Sequence, residues 1–309
     1  MLDKMNKKII GLGSVFLMLF LLGCTEESTN QCTNEGLVIS DYNIDTSGRI
    51  FPGYTVGINF WLENRGSADA EYIRVIFFDR QGFELERINC GEGNPEITSN
   101  GKLIGCTIGK IEAKEGCYGA MQGVHAVLRA PEDSGKRTVS FSVDYRYSGN
   151  SRLLFSIWEK GTEKRQWGKK QKSSSYGPVK VDIDTDFILE RFVDGQREVV
   201  TEWVEEGQRF TAKLNVREVG SGSKYQTFEN TISTENFEVI LDYVEIYSGG
   251  ACDFPGGSFE EEIEYPTEKP LMCELEVSDN IGQDWVTGTI EVDYTYDYGI
   301  VEHHDFTIE

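Results

Sequence analysis

Histidine is scarce in this sequence: the 309 residues include only His125, His303 and His304. So few imidazoles leave little choice of general base for nucleophilic catalysis. The chain also lacks the G-x-S-x-G nucleophile elbow and the G-x-x-x-x-G-K-[ST] phosphate loop. Carboxylates are abundant enough for a glycosidase pair, but no two stand out by position. We therefore predict a non-catalytic protein without a cofactor, with an unrecognised hydrolase as the enzymatic alternative.

Positive charge is scarce in the C-terminal half. Residues 177–309 carry 8 basic and 31 acidic side chains, a net charge of −23, whereas residues 24–150 carry −6 and residues 151–176 carry +5. Nucleic-acid binding relies on clusters of Lys and Arg, so this balance excludes nucleic acid as a partner. The acidity suits a solvated surface in a crowded or salty exterior, a cation-binding face, or attraction to a basic partner. The basic segment 151–176 can also fold back onto the acidic half.

Long apolar runs are absent except for one, Ile9 to Gly23, which follows Lys4, Lys7 and Lys8. This run of 15 residues is shorter than the roughly 20 residues that a membrane-spanning helix needs. A basic start, a compact apolar run and a small residue at its end are typical of a secretory signal peptide. We predict a signal peptide over residues 1–23, and an uncleaved anchor helix is the alternative.

The apolar run ends in Leu21-Leu22-Gly23-Cys24, which resembles the lipobox of bacterial and some archaeal lipoproteins. In that motif the Cys is lipidated and heads the mature chain. The resemblance implies lipid on Cys24, with residues 24–35 as a polar tether. One acyl chain binds a membrane only weakly, so stable anchoring needs two or more chains. We expect the protein on the extracellular face of the cell membrane, held there through Cys24.

The cysteine count supports export. Seven is an odd number, and an odd cysteine in an exported chain needs a reason. With Cys24 given to a lipid, six remain that can pair completely in an oxidising compartment: Cys32, Cys90, Cys106, Cys117, Cys252 and Cys273. We predict one equivalent disulfide in each half, Cys90–Cys106 and Cys252–Cys273, and Cys32–Cys117 as an additional bond in the first half. Sequence alone leaves the other pairings among the first four cysteines open.

Period-two alternation dominates after residue 35. Val56, Ile58, Phe60 and Leu62 alternate with polar or small residues and Trp61, as on a half-buried strand. Gly-rich breaks separate such segments, and no long stretch holds a helical period. The pattern predicts an all-β chain made of β-sandwiches.

A short repeat indicates an internal duplication. Residues 142–147 read SVDYRY and residues 291–296 read EVDYTY, and a pair of cysteines precedes each copy. We predict two tandem immunoglobulin-like β-sandwich domains after the signal peptide, at residues 36–160 and 177–309. The basic residues 161–176 form the linker between them, and Leu153–Trp158 is the last strand of the first domain.

Two acidic segments invite a cation interpretation. Asp182, Asp184 and Asp186 form D-x-D-x-D, but a calcium loop needs Gly at its sixth position and Glu at its twelfth. Those positions hold Phe187 and Val193, so a half-buried strand explains the spacing better. The run at residues 260–264 is expected to be a solvated loop, and a weak, exchangeable cation site there stays open.

His303 and His304 lie between two acidic residues, which resembles a ligand cluster. Adjacent residues of a strand point to opposite faces, so both imidazoles cannot easily reach one metal. We predict no metal site.

Aromatic residues outside the alternating faces form the remaining candidates. They can make a sugar-stacking surface or pack in the core or hinge: Tyr118, Trp167, Tyr176, Trp203 and Trp285.

The segments Pro52–Val56, Leu62–Ala70 and Ile73–Phe78 resemble the CARDB-type adhesion module, in which a strand ends in N-x-G before a turn of small residues. Here Asn64 and Gly66 hold those places, and both residue types tolerate positive φ. The segment Val216–Gly220 of the second half lacks the Asn. The resemblance implies an immunoglobulin-like fold on a prokaryotic surface, serving adhesion or architecture.

These observations predict a non-catalytic, lipid-anchored surface protein. It presents two disulfide-linked sandwiches for adhesion, protein–protein interaction or envelope architecture. The alternative is a carbohydrate-binding lipoprotein that assists a degradative or uptake system. The expected partners are the membrane, through Cys24, and an unknown surface protein or glycan.

Overall fold

The computed structural model describes residues 32–45, 49–114, 119–161, 170–187, 190–193, 196–199, 203–220, 231–232, 238–253, 263–264 and 270–309. The predicted signal peptide and most of the tether lie outside the described residues. The described residues form strands and turns with no helix, which confirms the all-β prediction. None of them belongs to a helix that is long and apolar enough to cross a membrane.

The strands of the first half are β1 (Leu37–Asp45), β2 (Thr55–Asn64), β3 (Ala70–Asp79), β4 (Glu84–Asn89), β5 (Asn94–Ile97), β6 (Leu103–Ile111), β7 (Met121–Arg129) and β8 (Gly135–Trp158). Those of the second half are β9 (Gln171–Ser174), β10 (Val179–Thr185), β11 (Glu190–Val193), β12 (Gln196–Val199), β13 (Trp203–Glu205), β14 (Arg209–Glu218), β15 (Thr231–Ile232), β16 (Glu238–Asp242), β17 (Val244–Ile246), β18 (Ile263–Glu264), β19 (Leu271–Val277) and β20 (Trp285–Ile308).

Three sheets carry most of these strands. Sheet A has the order β1-β2-β7-β4, and sheet C has the order β10-β14-β19-β17. Sheet B has eight strands in the order β16-β20-β8-β3-β6-β5, with β9 and β13 also paired to β8. Strands β11 and β12 form a separate hairpin, and β15 pairs with β18.

Sheets A and C both pack on sheet B, on the same face of β8. Phe60 of sheet A stacks on Phe141 of β8 with ring centroids 4.9 Å apart. Fourteen residues further along β8, Phe155 contacts Phe210 of sheet C at 5.8 Å. Because both phenylalanines occupy odd-numbered positions of one strand, they project from the same face. Strand β8 therefore supplies core residues to both halves.

The two halves share sheet B. Strands β8 and β20 have 24 residues each and pair antiparallel along their whole length, from Gly135 opposite Ile308 to Trp158 opposite Trp285. Residues 32–309 form one compact unit. The sequence predicts two separate sandwiches at 36–160 and 177–309, but the continuous pairing of β8 with β20 joins them. Leu153–Trp158 is accordingly the last part of β8 and packs against the second half of the chain.

The two copies of the short repeat, one on β8 and one on β20, meet at a single residue pair of the β8–β20 ladder. Tyr147 and Tyr296 occupy the same position in their copies and lie opposite one another in the β8–β20 ladder, with rings 6.0 Å apart. Burial raises the pKa of Tyr147 to about 12. Its hydroxyl accepts a hydrogen bond from the Ala68 amide at 3.0 Å and donates one to the Tyr176 carbonyl at 3.2 Å. The repeat thus forms the centre of the shared sheet, where buried hydroxyls keep their hydrogen bonds.

Candidate binding site

The solvent-facing side of sheet A carries an exposed tryptophan. Along β2, Val56, Ile58, Phe60 and Leu62 are buried against sheet B, so the residues between them face solvent. Trp61 is one of these, and 45% of its surface is exposed. A large apolar side chain on the solvent face of a central strand has no role in the core.

The Trp61 ring lies over Gly123 of the neighbouring strand. The two residues are cross-strand partners on β2 and β7. The indole atoms of Trp61 lie 3.4 Å from the place that a Cβ on Gly123 would occupy. The ring therefore covers the backbone at Gly123, where no side chain lies between the indole and the sheet.

Amide and imidazole side chains surround the tryptophan. Asn59 on β2 and Asn89 on β4 both pair with His125 on β7. The Asn59 Oδ1 atom is hydrogen-bonded to His125 Nδ1. Asn89 Oδ1 accepts from the Gly91 amide at 3.0 Å, and Gln122 Nε2 donates to the Gly123 carbonyl at 3.1 Å. One polar atom of each side chain is held by the protein.

Together these residues line a groove of about 380 Å³. We call it the Trp61 groove; its lining consists of Asn59, Phe60, Trp61, Asn89, Gly91, Met121, Gln122, Gly123, Val124 and His125. None of these residues is acidic, Lys or Arg, although 27% of the chain is charged. The groove therefore combines an apolar platform with neutral hydrogen-bonding groups. Such a lining can hold a neutral ligand that has both an apolar face and polar groups.

The predicted cysteine pairs are partly confirmed. Cys90–Cys106 and Cys252–Cys273 are disulfide bonds with sequence separations of 16 and 21. Cys32 is also disulfide-bonded, whereas Cys117 and the predicted lipidation site Cys24 lie outside the described residues. The pairing of Cys32 with Cys117 stays a prediction.

The duplication predicted that these two disulfides occupy equivalent places in the two halves. This prediction is wrong. Cys90 follows β4 of sheet A and Cys106 lies in β6 of sheet B, so this bond joins the two layers. Cys252 instead lies beside Cys273 of β19 as its antiparallel bridge partner. The reason is that the chain after β17 continues along β19 in the same direction, whereas the chain after β4 leaves sheet A towards sheet B.

The aspartates of the D-x-D-x-D segment bind other groups of the protein around β10. Val179, Val181 and Ile183 of β10 are buried, which confirms the half-buried strand. The three carboxylates all bind protein groups: Asp182 pairs with Arg217, Asp184 pairs with Lys172, and the Asp186 carboxylate accepts from the Thr211 amide at 2.7 Å. Lys172 belongs to the basic segment, so that segment does contact the acidic half.

The two adjacent histidines make separate contacts. His303 Nδ1 lies 2.7 Å from the Ser140 hydroxyl, and the His304 ring stacks on Tyr42 at 4.1 Å. Burial lowers the pKa of His304 and raises the pKa of neighbouring Glu302. Within the described part of the chain, no group of three or more His, Cys, Asp or Glu side chains is placed to hold a metal ion. The acidic residues 260–262 lie outside it.

The aromatic candidates that belong to the described residues do not line the Trp61 groove. Trp285 is 45% exposed and packs against buried Trp158, with ring centroids 6.3 Å apart. Trp203 belongs to β13, which pairs in parallel with β8. Tyr176 lies below Lys180, whose Nζ is 5.3 Å from the ring centroid. Tyr118 and Trp167 lie outside the described residues.

Sequence reasoning missed Trp61, Asn59 and His125. A usable signal existed, because Trp61 occupies the polar phase of the β2 alternation, between Phe60 and Leu62. An aromatic residue in that phase must be exposed once the strand is half-buried. The partners from β4 and β7 carried no such signal, because only sheet pairing brings them next to β2.

Comparisons with known proteins give no family. No protein-family model and no curated protein matches the chain. Among solved structures, the chain is similar to AvmM, described as catalysing macrocyclization in alchivemycin A biosynthesis, at 14% identity and a TM-score of 0.20, covering 47% of this chain and 90% of that one. It is also similar to the C-terminal domain of the Streptococcus agalactiae AgI/II polypeptide BspA, at 11% identity and a TM-score of 0.17 over 84% of this chain and 93% of that one. The collagen adhesin (CNA) from S. aureus matches at 9% identity and a TM-score of 0.13 over 87% and 92%. Similarities this low carry no conclusion about function.

Proposed function

We propose that this chain is a non-catalytic, lipid-anchored protein of the outer cell surface that binds its partner through the Trp61 groove. The groove carries the proposal, because it presents an exposed aromatic ring and neutral hydrogen-bonding groups on the open face of a rigid sheet. The core already fills the inner face of that sheet, so binding needs no rearrangement of the fold.

The export part of the proposal is supported by two sets of cysteines. Cys24 ends a short apolar run after a basic start, as in lipoproteins. The disulfides Cys90–Cys106 and Cys252–Cys273 are of a kind that persists in oxidising compartments and is rare in the cytosol. A polar tether would then hold the compact unit away from the membrane, with the Trp61 groove available to partners.

The anchor is tested by the intact mass of the protein purified from its native membrane, with and without thiol alkylation. We expect a chain that starts at Cys24, carries lipid of two or more acyl chains and shows no free thiol. A chain that starts at Met1 or Met5 without lipid would contradict the lipoprotein assignment.

The binding role is tested by retention of the full-length chain on isolated cell envelopes. Trp61→Ala should reduce retention, and Trp285→Ala should not, although both indoles are 45% exposed. Equal retention of the two variants would refute the assignment of the groove as the binding surface.

A further inference from the structure

We propose that the ligand of the Trp61 groove is a neutral saccharide, with Trp61 stacking on one pyranose ring and the surrounding amides and imidazole binding its hydroxyls. This inference rests on the proposed binding function of the groove and adds the chemical class of its ligand. It differs from the sugar-stacking surface that the sequence offered as an alternative to core or hinge packing, which used other aromatic residues.

The charge of the groove selects a neutral ligand. The chain has a formal net charge of −22, yet none of the ten residues that line the groove carries a formal charge. Among the described residues that line the groove, an acidic glycan would meet no Lys or Arg and a basic peptide would meet no carboxylate.

The platform suits a pyranose ring. The Trp61 indole lies over Gly123 on one side and is 45% exposed, so it offers an apolar surface to solvent. The axial C–H bonds of a hexose form an apolar face of similar size, with hydroxyls around its rim. Aromatic rings bury a large apolar area and lose little conformational entropy when they bind.

The polar rim supplies both donors and acceptors. Asn59 Oδ1 can only accept, so His125 Nδ1 is the donor of their hydrogen bond. The Asn59 amide nitrogen then remains a donor. Asn89 uses its Oδ1 for the Gly91 amide and Gln122 uses its Nε2 for the Gly123 carbonyl, which leaves a donor on Asn89 and an acceptor on Gln122. A sugar hydroxyl donates and accepts, so neighbouring hydroxyls can satisfy both kinds of group.

The size and rigidity of the groove agree with a glycan. A volume of about 380 Å³ is at the lower end of the roughly 300–1,000 Å³ of ligand sites, which suits a short stretch of an oligosaccharide. The Cys90–Cys106 disulfide fixes the chain between Asn89 and Gly91, both of which line the groove. Side chains held in advance lose less entropy on binding.

The test measures binding of the full-length chain to cellohexaose, mannohexaose and chitohexaose by calorimetry and tryptophan fluorescence, with polygalacturonate as the acidic comparison. We expect at least one neutral hexasaccharide to bind and polygalacturonate to bind more weakly. Trp61→Ala should weaken binding by roughly tenfold or more, and Trp61→Phe by less. Asn59→Ala should weaken it as well, whereas Trp285→Ala should leave the affinity unchanged within about twofold.

Four outcomes would overturn the proposal. The first is that no neutral oligosaccharide binds; the second is that Trp61→Ala binds like the unchanged chain; the third is that polygalacturonate is preferred. Binding of a peptide library through Trp61 without glycan binding would also overturn it and assign the groove to a protein partner. In that case retention on envelopes would still depend on Trp61, so the proposed ligand class would be wrong while the proposed function would hold. Loss of both would refute the proposed function itself. Circular dichroism of each variant checks that it is folded.

Discussion

Asn64 offers the sharpest test of how the first half is held together. Its side chain is fully buried at the end of β2. The amide nitrogen donates to the carbonyl of Ala68 at 2.8 Å and to that of Ile111 at 3.0 Å, and Oδ1 accepts from the Gly66 amide at 3.1 Å. One side chain therefore fixes the turn after β2 and binds β6 of sheet B.

Asn64→Ala removes three hydrogen bonds, so three backbone groups lose the side chain that they bind. At about 1 kcal/mol for each bond, with a further cost for the buried groups left unpaired, we expect a loss of about 3–4 kcal/mol in the free energy of unfolding. In urea, a slope of about 2–3 kcal/mol/M converts this loss to a decrease of about 1–2 M in the midpoint, with the slope unchanged. Equilibrium urea unfolding followed by circular dichroism measures it.

The matched control is Asn215→Ala on β14, the strand that corresponds to β2 in the second half. Asn215 is half-buried and its amide makes a single contact of 3.4 Å with Asp184. We expect this variant to cost about 0.5 kcal/mol or less. If Asn64→Ala costs less than about 1 kcal/mol, or no more than the control, the role given to Asn64 is wrong.

Three further predictions concern the core that both halves share. The Tyr42 hydroxyl is buried without a hydrogen-bond partner among the described residues, so Tyr42→Phe should raise the free energy of unfolding by up to about 1 kcal/mol. Tyr145→Phe loses a hydrogen bond and should lower the free energy of unfolding by a similar amount. Urea titrations measure both effects. Because burial lowers the pKa of His304 below its ordinary 6.5, the unfolded chain takes up the proton first. Stability should therefore be complete above about pH 6.5 and decrease below it, and His304→Gln should flatten that slope in unfolding measured from pH 8 to 5. Finally, Phe141→Ala and Phe155→Ala should each lower the free energy of unfolding by about 3–5 kcal/mol. Because β8 supplies core residues to both halves, each variant should still unfold in one transition that coincides by fluorescence and circular dichroism. Separate transitions would contradict the shared core.

The strands were largely predictable because their sequence pattern is local. Alternation in β2, β8 and β10 follows directly from the two faces of a pleated strand. Asn64 and Gly66 were also recognisable as a turn signal, but the reason differs from the expected one: neither has a positive φ, Asn64 acts through its side-chain hydrogen bonds, and Gly66 leaves room for the Tyr147 hydroxyl. The pairs Cys90–Cys106 and Cys252–Cys273 followed from spacing. Their different geometry did not, since spacing along the chain does not determine which sheet each cysteine joins.

The candidate site was predictable only in one element. Trp61 in the polar phase of β2 predicts an exposed aromatic ring, and this signal was missed. Its partners Asn89 and His125 are separated from it by 28 and 64 positions of sequence, and hydrogen-bonded pairing alone brings them together. The position of Gly123 beneath that ring likewise follows only from strand pairing.

By itself, the sequence determined that this chain forms strands, that it carries a repeated segment, and that it has the features of export in an oxidising compartment. These properties depend on side-chain periodicity and composition, which act over a few residues. Tertiary structure alone decided that β8 and β20, the two long strands that carry the repeat, pair with each other, so that the copies meet at Tyr147 opposite Tyr296. That pairing joins the two halves into one sheet, because a strand 24 residues long has hydrogen-bonding edges that extend beyond either half. The backbone groups along such an edge are chemically alike, so they do not specify in advance which strand will pair with them.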